Sequence, residues 1–426
     1  MIYRGDTINE HEHWLNRERL TNYPRIILAL FLVIGLVWVS MSKNMVDLKG
    51  KPLGYDFITF WAASHIALAG HPQEAYNIPL LFKAEQIAVP ASKYIFVWYY
   101  LPSFYLVVLP LALLPYIAAY WAFMLSTMGA YLLVFRRIVR DNTAMWCLAA
   151  FSGLWMNFFH GQNAFLTAAL ASAALLCVER RPVLAGLFIG LLAIKPHLAL
   201  LFPVALIAIG AWRTFITAAV TAITFTGFGT AILGIAVLKG SLASLGYARL
   251  FLENGLLPWA KMPSMFAFMR LLGIPVAGAY VVHGVIALGV VIIVWRVWRR
   301  CQDWKLRSAA LMTATFLVSP YVFDYDLAWL AFPIAWLALA GQRNGWLSGE
   351  REVLVAAWLL PMLMAPIAAA LRVQVGPLVL CSLLWITVRR TTATDNHADR
   401  PLQKLRTTRK LVYLFRSNIV LLPELR

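Results

Sequence analysis

Charge is scarce in this sequence. Asp, Glu, Lys and Arg make up 13% of its 426 residues, against 61% hydrophobic residues. An ordinary soluble domain carries about 25% charged residues, so that class is excluded. Cysteine is scarce too. The four, Cys147, Cys177, Cys301 and Cys381, lie in or beside apolar segments. No pair has metal-ligand spacing and none lies in a long loop, so neither a zinc site nor a disulfide framework is indicated. A Walker loop, a dinucleotide fingerprint following a strand, an HExxH zinc motif and a nucleophile elbow are all missing. Their absence removes the common signatures of soluble nucleotide-dependent and hydrolytic enzymes. No repeat of short fixed period is visible, and the two halves of the chain show no clear correspondence.

What fills the sequence instead is one apolar run after another, the pattern of an all-α polytopic membrane protein. The net charge of +18 would suggest nucleic acid in a soluble chain. Here the basic residues collect at the ends of apolar runs, as in Arg136-Arg137 with Arg140, Arg180-Arg181, Arg299-Arg300 and Arg389-Arg390. That is the distribution expected of cytoplasmic loops, so the expected partner is the lipid bilayer and not nucleic acid. Residues 1–25 are polar and lack an apolar core followed by a small-residue cleavage site, which reads as a cytoplasmic N-terminus.

A spanning helix needs about 20 mostly apolar residues. Candidates are 26–42, 116–135, 143–159, 163–178, 183–194, 197–211, 214–238, 274–295, 306–320, 327–340, 352–370 and 374–388, about twelve in all. Arg17, Arg19 and Arg25 before the first run hold the N-terminus inside and deliver the following residues to the outer face. Segment 94–115 is also apolar but contains Pro102, Pro110 and Pro115. Counting it as a span would turn Arg136-Arg137 and Arg180-Arg181 outward, so parity favours a half-inserted segment. The outer face then carries 43–115, the turn at 160–163, the break at 195–197, the loop 239–273, and Ser319 to Asp326. Residues 26–390 form the transmembrane domain, and the basic tail 391–426 lies inside against anionic lipid.

Polar residues at membrane depth usually line cavities or pathways, and seven stand out. Asp56, in Gly54-Tyr55-Asp56-Phe57, opens an expected interfacial helix running to about Ala69. Its carboxylate either caps that helix or faces a cavity and accepts a proton from an acceptor hydroxyl; one side chain can do both. Lys195 sits in Ile194-Lys195-Pro196-His197, where proline breaks the helix and frees backbone groups that need protein or water. The lysine either snorkels to the interface or meets a lipid-borne phosphate, and His197 either donates to the same phosphate or ends the break. His160 and Gln162, in the turn before Asn163, offer neutral groups for sugar hydroxyls. Asp324 and Asp326 would share that face, Asp326 also being placed to cap the next helix. The outer loop with Trp259, Lys261 and Pro263 is suited to covering a cavity or binding an acceptor. No metal-ligand cluster is evident.

In order and spacing these landmarks resemble the family 87 glycosyltransferases, polytopic enzymes of the GT-C class that use polyprenyl-phosphate sugars. The resemblance covers roughly 26–390. It rests on Tyr55-Asp56-Phe57 with Trp61-Ala62-Ala63 and Ala69-Gly70 to Tyr76, and on Tyr100-Leu101-Pro102 with Pro110-Leu111-Ala112-Leu113-Leu114-Pro115. Further pieces are Gly161-Gln162-Asn163, Ala185-Gly186-Leu187 through Gly190 to Lys195-Pro196, and Ser319-Pro320. The usual double proline after the tyrosine is reduced to Leu101-Pro102.

The resemblance implies an inverting transfer with Asp56 as general base and Lys195 near the donor phosphate. A glycosidase needs a second carboxyl to protonate its leaving group; a lipid phosphate leaves without that help, so one base suffices. The expected function is transfer of a hexose, mannose by expectation, from a polyprenyl-phosphate carrier to a hydroxyl of a lipid or polysaccharide outside the cytoplasm. The carrier-linked sugar is a substrate, and no cofactor is expected. The alternative is a transporter or flippase, in which the break at Pro196 would form half of an alternating-access site. Transporters often carry a matching break in a second related half, and the sequence offers none.

Overall fold

In the computed structural model of the protein, residues 13–393 are described. Among them every regular element is helical. The first helix is α1 (Arg17–Met41), followed by α2 (Phe57–Leu68), α3 (Ile78–Ala88) and α4 (Pro102–Val108). Next come α5 (Tyr116–Ile138), α6 (Asn142–Ala149), α7 (Ser152–His160), α8 (Ala164–Cys177), α9 (Pro182–Leu191) and α10 (Leu201–Ala208). The remainder is α11 (Trp212–Leu233), α12 (Ile235–Glu253), α13 (Met265–Leu271), α14 (Val276–Arg300), α15 (Trp304–Val318), α16 (Ala331–Asn344), α17 (Glu350–Leu371) and α18 (376–393). Six of them, α1, α5, α11, α12, α14 and α17, are long and apolar enough to cross a bilayer. Shorter apolar helices fill in around them, giving a polytopic membrane bundle.

The apolar surface faces outward as lipid demands. Leu36 on α1 and Ile223 on α11 are each 71% exposed, an arrangement that water would penalise and acyl chains would not. The interior is built on α8, α15 and the 3₁₀ segment Asp324–Leu330. There the Trp329 indole donates to Thr167 Oγ1 at 3.0 Å, and the Tyr131 hydroxyl donates to Ala328 O at 2.8 Å.

Long helices set the distance between the two ends of the bundle. Glu350, in the first turn of α17, forms a buried ion pair with Arg390 of α18, while Glu352 meets His13 at 3.0 Å. Just beyond the other end of α17, the Gln374 amide donates to Trp259 O and Ala260 O at 3.2 and 2.8 Å. Twenty-two helical residues at 1.5 Å each span about 33 Å, close to the roughly 30 Å hydrocarbon core. The residues nearest both ends of the described chain therefore gather at one end. The loop holding Trp259 and Ala260 lies at the other.

The structure differs from the expected spans in two places. Segment 143–159 is two helices: the indole of Trp358 donates to Cys147 O at 2.9 Å, and Phe151 N turns to Leu148 O at 3.0 Å. The carbonyl that would have continued the helix is held by α17 instead, and the Ser152 hydroxyl is tied to Trp358 O at 2.7 Å. Segment 214–238 ends at Gly234, whose φ of +93° suits glycine alone. The outer loop expected from 239 begins only after α12, at Asn254. Segment 94–115 holds helical turns over 102–113, too few residues to cross a bilayer. The basic tail lies outside the described residues from 394 onward, as do residues 1–12 of the N-terminal segment.

Candidate active site

Gly161 closes α7 in a left-handed conformation, φ +60°. A Cβ there would stand 2.5 Å from Phe57 Cβ and 2.6 Å from Gly54 O, so only glycine lets the 160–163 turn approach the start of α2. That approach places Gln162 beside Asp56. The Gln162 Nε2 donates to Asp56 Oδ2 at 2.9 Å, and its Oε1 accepts from the Tyr100 hydroxyl at 3.1 Å. Asn163 Nδ2 in turn donates to the Tyr100 oxygen at 3.2 Å. A carboxylate can only accept and the tyrosine hydroxyl already receives from Asn163, so the relay has one consistent direction. It runs Asn163, Tyr100, Gln162, Asp56.

Asp56 does not cap α2. It stands at the helix start, but its side chain makes no cap hydrogen bond and goes to Gln162 instead. Among the described residues nothing hydrogen-bonds to its Oδ1, and the residue keeps part of its surface accessible. The residue before it is held hard. Tyr55 has φ +40°, strained for a side chain with a Cβ. It is pinned by its hydroxyl donating to Asp47 Oδ2 at 2.8 Å and by stacking on Trp38 and His160. Desolvation pushes the Asp56 carboxyl above the ordinary aspartate range. The Gln162 hydrogen bond and the charges of Lys261, Lys195 and Lys51 pull the other way.

The break after α9 presents Lys195. Pro196 has no N–H to give, and the chain passes through two 3₁₀ turns, with Lys195 N bonded to Leu192 O at 2.8 Å. Lys195 is buried, its Nζ 2.5 Å from Asp326 Oδ1 and 4.9 Å from the centre of the Tyr325 ring. The other Asp326 oxygen accepts from Phe323 N at 3.1 Å, so that aspartate both caps its turn and neutralises the lysine. Asp324 is buried as well. One oxygen accepts from Tyr325 N at 2.9 Å, the other has no partner, and burial pushes its carboxyl up to about 7.

His160 links these two groups. Its ring stacks on Tyr55 and lies 5.6 Å from Tyr325. Nδ1 is 2.8 Å from Met156 O and Nε2 is 2.9 Å from Lys261 Nζ. Burial, with Lys261 beside it, holds the imidazole down at about 3, so it is neutral at physiological pH. His197 packs its ring edge on Tyr321, which meets Tyr99 in the same way.

Parts of all five expected outer segments, 54–57 of 43–115, 160–163, 195–197, 259–261 of 239–273, and 319–326, thus meet at one end of the bundle. The seven expected site residues fall within this assembly. Asp56 and Gln162 touch directly, Lys195 pairs with Asp326, His160 and Lys195 join through Tyr325, the buried Asp324 accepts from Tyr325 N, and His197 packs on Tyr321. Sequence reasoning missed the site roles of Tyr100, Asn163 and Tyr325. It noted Lys261 only as part of a loop suited to covering a cavity or binding an acceptor. Tyr100 and Asn163 both belong to segments that carry the family resemblance; the contact between Lys261 and His160 has no local signature.

The model of glycosyltransferase family 87 matches residues 98–320, just over half of the chain. The chain belongs to glycosyltransferase family 87. As a family 87 enzyme it is a membrane-embedded glycosyltransferase, and the matched span contains Tyr100, Gln162, Asn163, Lys195 and Lys261. Asp56 and the Asp324–Asp326 turn lie outside that span and join it only in three dimensions. No curated protein and no solved structure matches the chain.

Proposed function

We propose that this family 87 glycosyltransferase moves a hexose, mannose in the first instance, from a polyprenyl-phosphate carrier to a hydroxyl of a lipid or polysaccharide outside the cytoplasm. Asp56 is the general base. The observation that carries this reading is its two-sided environment: Oδ2 is held by the Gln162 relay, while Oδ1 has no hydrogen-bond partner among the described residues and stands beside a cluster containing two lysines. The acceptor oxygen attacks the anomeric carbon from the face opposite the phosphate. The bond from that carbon to the phosphate oxygen breaks, the phosphate leaves with the electron pair, and the hydroxyl proton passes to Asp56. The configuration inverts. General-base assistance of this kind is worth about 10²–10⁴-fold.

Lys195, with Asp326 as its partner, is assigned to the donor-phosphate end, and His197 lies on the same break. His160, Gln162, Asp324 and Asp326 line the sugar and acceptor side. The side of the membrane follows from charge. Arg389 and Arg390 lie at the end of the bundle away from this cluster, and loops rich in Lys and Arg stay in the cytoplasm. On this reading the protein sits in the cell membrane with both termini cytoplasmic and the cluster outside.

The test is a purified transfer assay offering polyprenyl-phosphate mannose, polyprenyl-phosphate glucose and nucleotide sugars with glycolipid acceptors. The reading expects product from a polyprenyl-phosphate sugar, with the inverted anomer by NMR. Transfer from nucleotide sugars alone, or a retained anomer, would refute it.

A further inference from the structure

We propose that Lys261, braced by a neutral His160, is a further ligand of the donor phosphate and supplies the positive charge that Lys195 cannot supply alone. The inference rests on the polyprenyl-phosphate reading above and names a second cation for that site. Lys195 meets Asp326 at 2.5 Å with the aspartate fully buried. The pair is neutral as a unit, and a phosphate arriving there meets little net charge.

Lys261 differs. Among the described residues it forms no ion pair, and the side chain it touches is the imidazole of His160 at 2.9 Å. The tautomer follows from chemistry. A carbonyl oxygen only accepts, so the Nδ1 proton of His160 donates to Met156 O, and Nε2 presents a lone pair to the ammonium. A neutral acceptor orients the lysine without cancelling its charge. Two of its three N–H bonds remain for a ligand.

The lysine's backbone is anchored. Its 3₁₀ turn, Trp259–Lys261, is held by Gln374 Nε2 on Trp259 O and Ala260 O, and the Trp259 indole donates to Leu252 O at 2.8 Å. Lys261 is half-buried, so it can meet a ligand. It also lies at the cluster: His160 stacks on Tyr55 next to Asp56 and also meets Tyr325, which carries Lys195 over its ring. The two lysines are therefore linked through the touching His160 and Tyr325 rings, which brings both to the cluster that a donor phosphate would enter. As the phosphate leaves its sugar it gains charge, and a lysine with no carboxylate in direct contact among the described residues has N–H donors to offer it.

The experiment compares binding of decaprenyl monophosphate and decaprenol of equal chain length to the full-length protein in nanodiscs. It uses wild type, Lys261→Gln, Lys261→Arg and His160→Gln, each checked for its thermal unfolding midpoint. Wild type should prefer the phosphate. Lys261→Gln should lose about 10–100-fold of that preference, the worth of a charge-assisted hydrogen bond, while decaprenol binding stays the same. Lys261→Arg should restore much of the loss, which a merely structural lysine would not require. His160→Gln should lower the preference by less than Lys261→Gln. An undiminished preference in a folded Lys261→Gln protein would overturn the inference while leaving the polyprenyl-phosphate reading intact. Equal binding of phosphate and alcohol by wild type would overturn both.

Discussion

In the mechanism proposed above, Asp56 is a base in a place that disfavours its charge. Burial raises its pKa, and the Gln162 hydrogen bond and three lysines bring it partly back. The sign of the pH dependence follows. The carboxylate form, the active one, appears as pH rises, so the acid limb of kcat lies above that of an exposed aspartate. Removing a group that favours the anion moves the limb higher. Gln162→Ala should therefore shift the acid limb of the kcat–pH profile upward. At neutral pH it should lower the rate about 10–100-fold, since a hydrogen bond to a charged group is lost. An unshifted limb would take Gln162 out of the relay. How much of this was legible varies by residue. Asp56, Lys195 and Gln162 stand out because a polar group among apolar neighbours demands a reason. The His160–Lys261 contact joins residues 101 positions apart, and neither an outer-turn histidine nor a loop lysine is unusual by itself.

At the level of elements, close approach does the positioning. Gly161 lets α7 end against the start of α2, and Gly186 and Gly190 let α9 lie against α11, where a Cβ on Gly190 would stand 2.7 Å from Ala218 O. Small residues four apart bring membrane helices together in this way. Gly161→Ala should push the 160–163 turn off Phe57 and Gly54 and break the Gln162–Asp56 bond. Transfer should fall at least as far as in Gln162→Ala, with donor binding less affected; a Gly161→Ala enzyme of normal rate would contradict this packing. Helix boundaries were the least legible part. The interruption after Ala149 has no proline or glycine in the break itself; it comes from Trp358 and Ser152 reaching across to another helix. The stop at Pro196 was readable because proline lacks the donor that a continuing helix requires.

The molecule as a whole separates the candidate site from its basic end by about one bilayer thickness. Basic groups around Arg390 and His13 lie at one end of α17, and the loop of Trp259 and Ala260 at the other. Two exposed positions report the two ends: Lys49, near Asp47 and Tyr55, and Asn344, next to Gly345, whose carbonyl accepts from Arg390. In a cysteine-free background, Lys49→Cys should react with an impermeant maleimide in intact cells. Asn344→Cys should react only after permeabilisation. The reverse pattern would invert the orientation and move the site to the cytoplasm. The polytopic class was plain from the shortage of charge. Which segments meet could not be read from periodicity, because five short polar stretches spread over some 270 residues converge only when the bundle assembles.

The central claim is that Asp56 takes the proton from the attacking hydroxyl. The most direct measurement is the single-turnover rate of sugar transfer from polyprenyl-phosphate mannose by Asp56→Asn, beside wild type of equal thermal stability. The account predicts a loss of about 10²–10⁴-fold with donor binding retained. Turnover equal to wild type in the folded variant would contradict it.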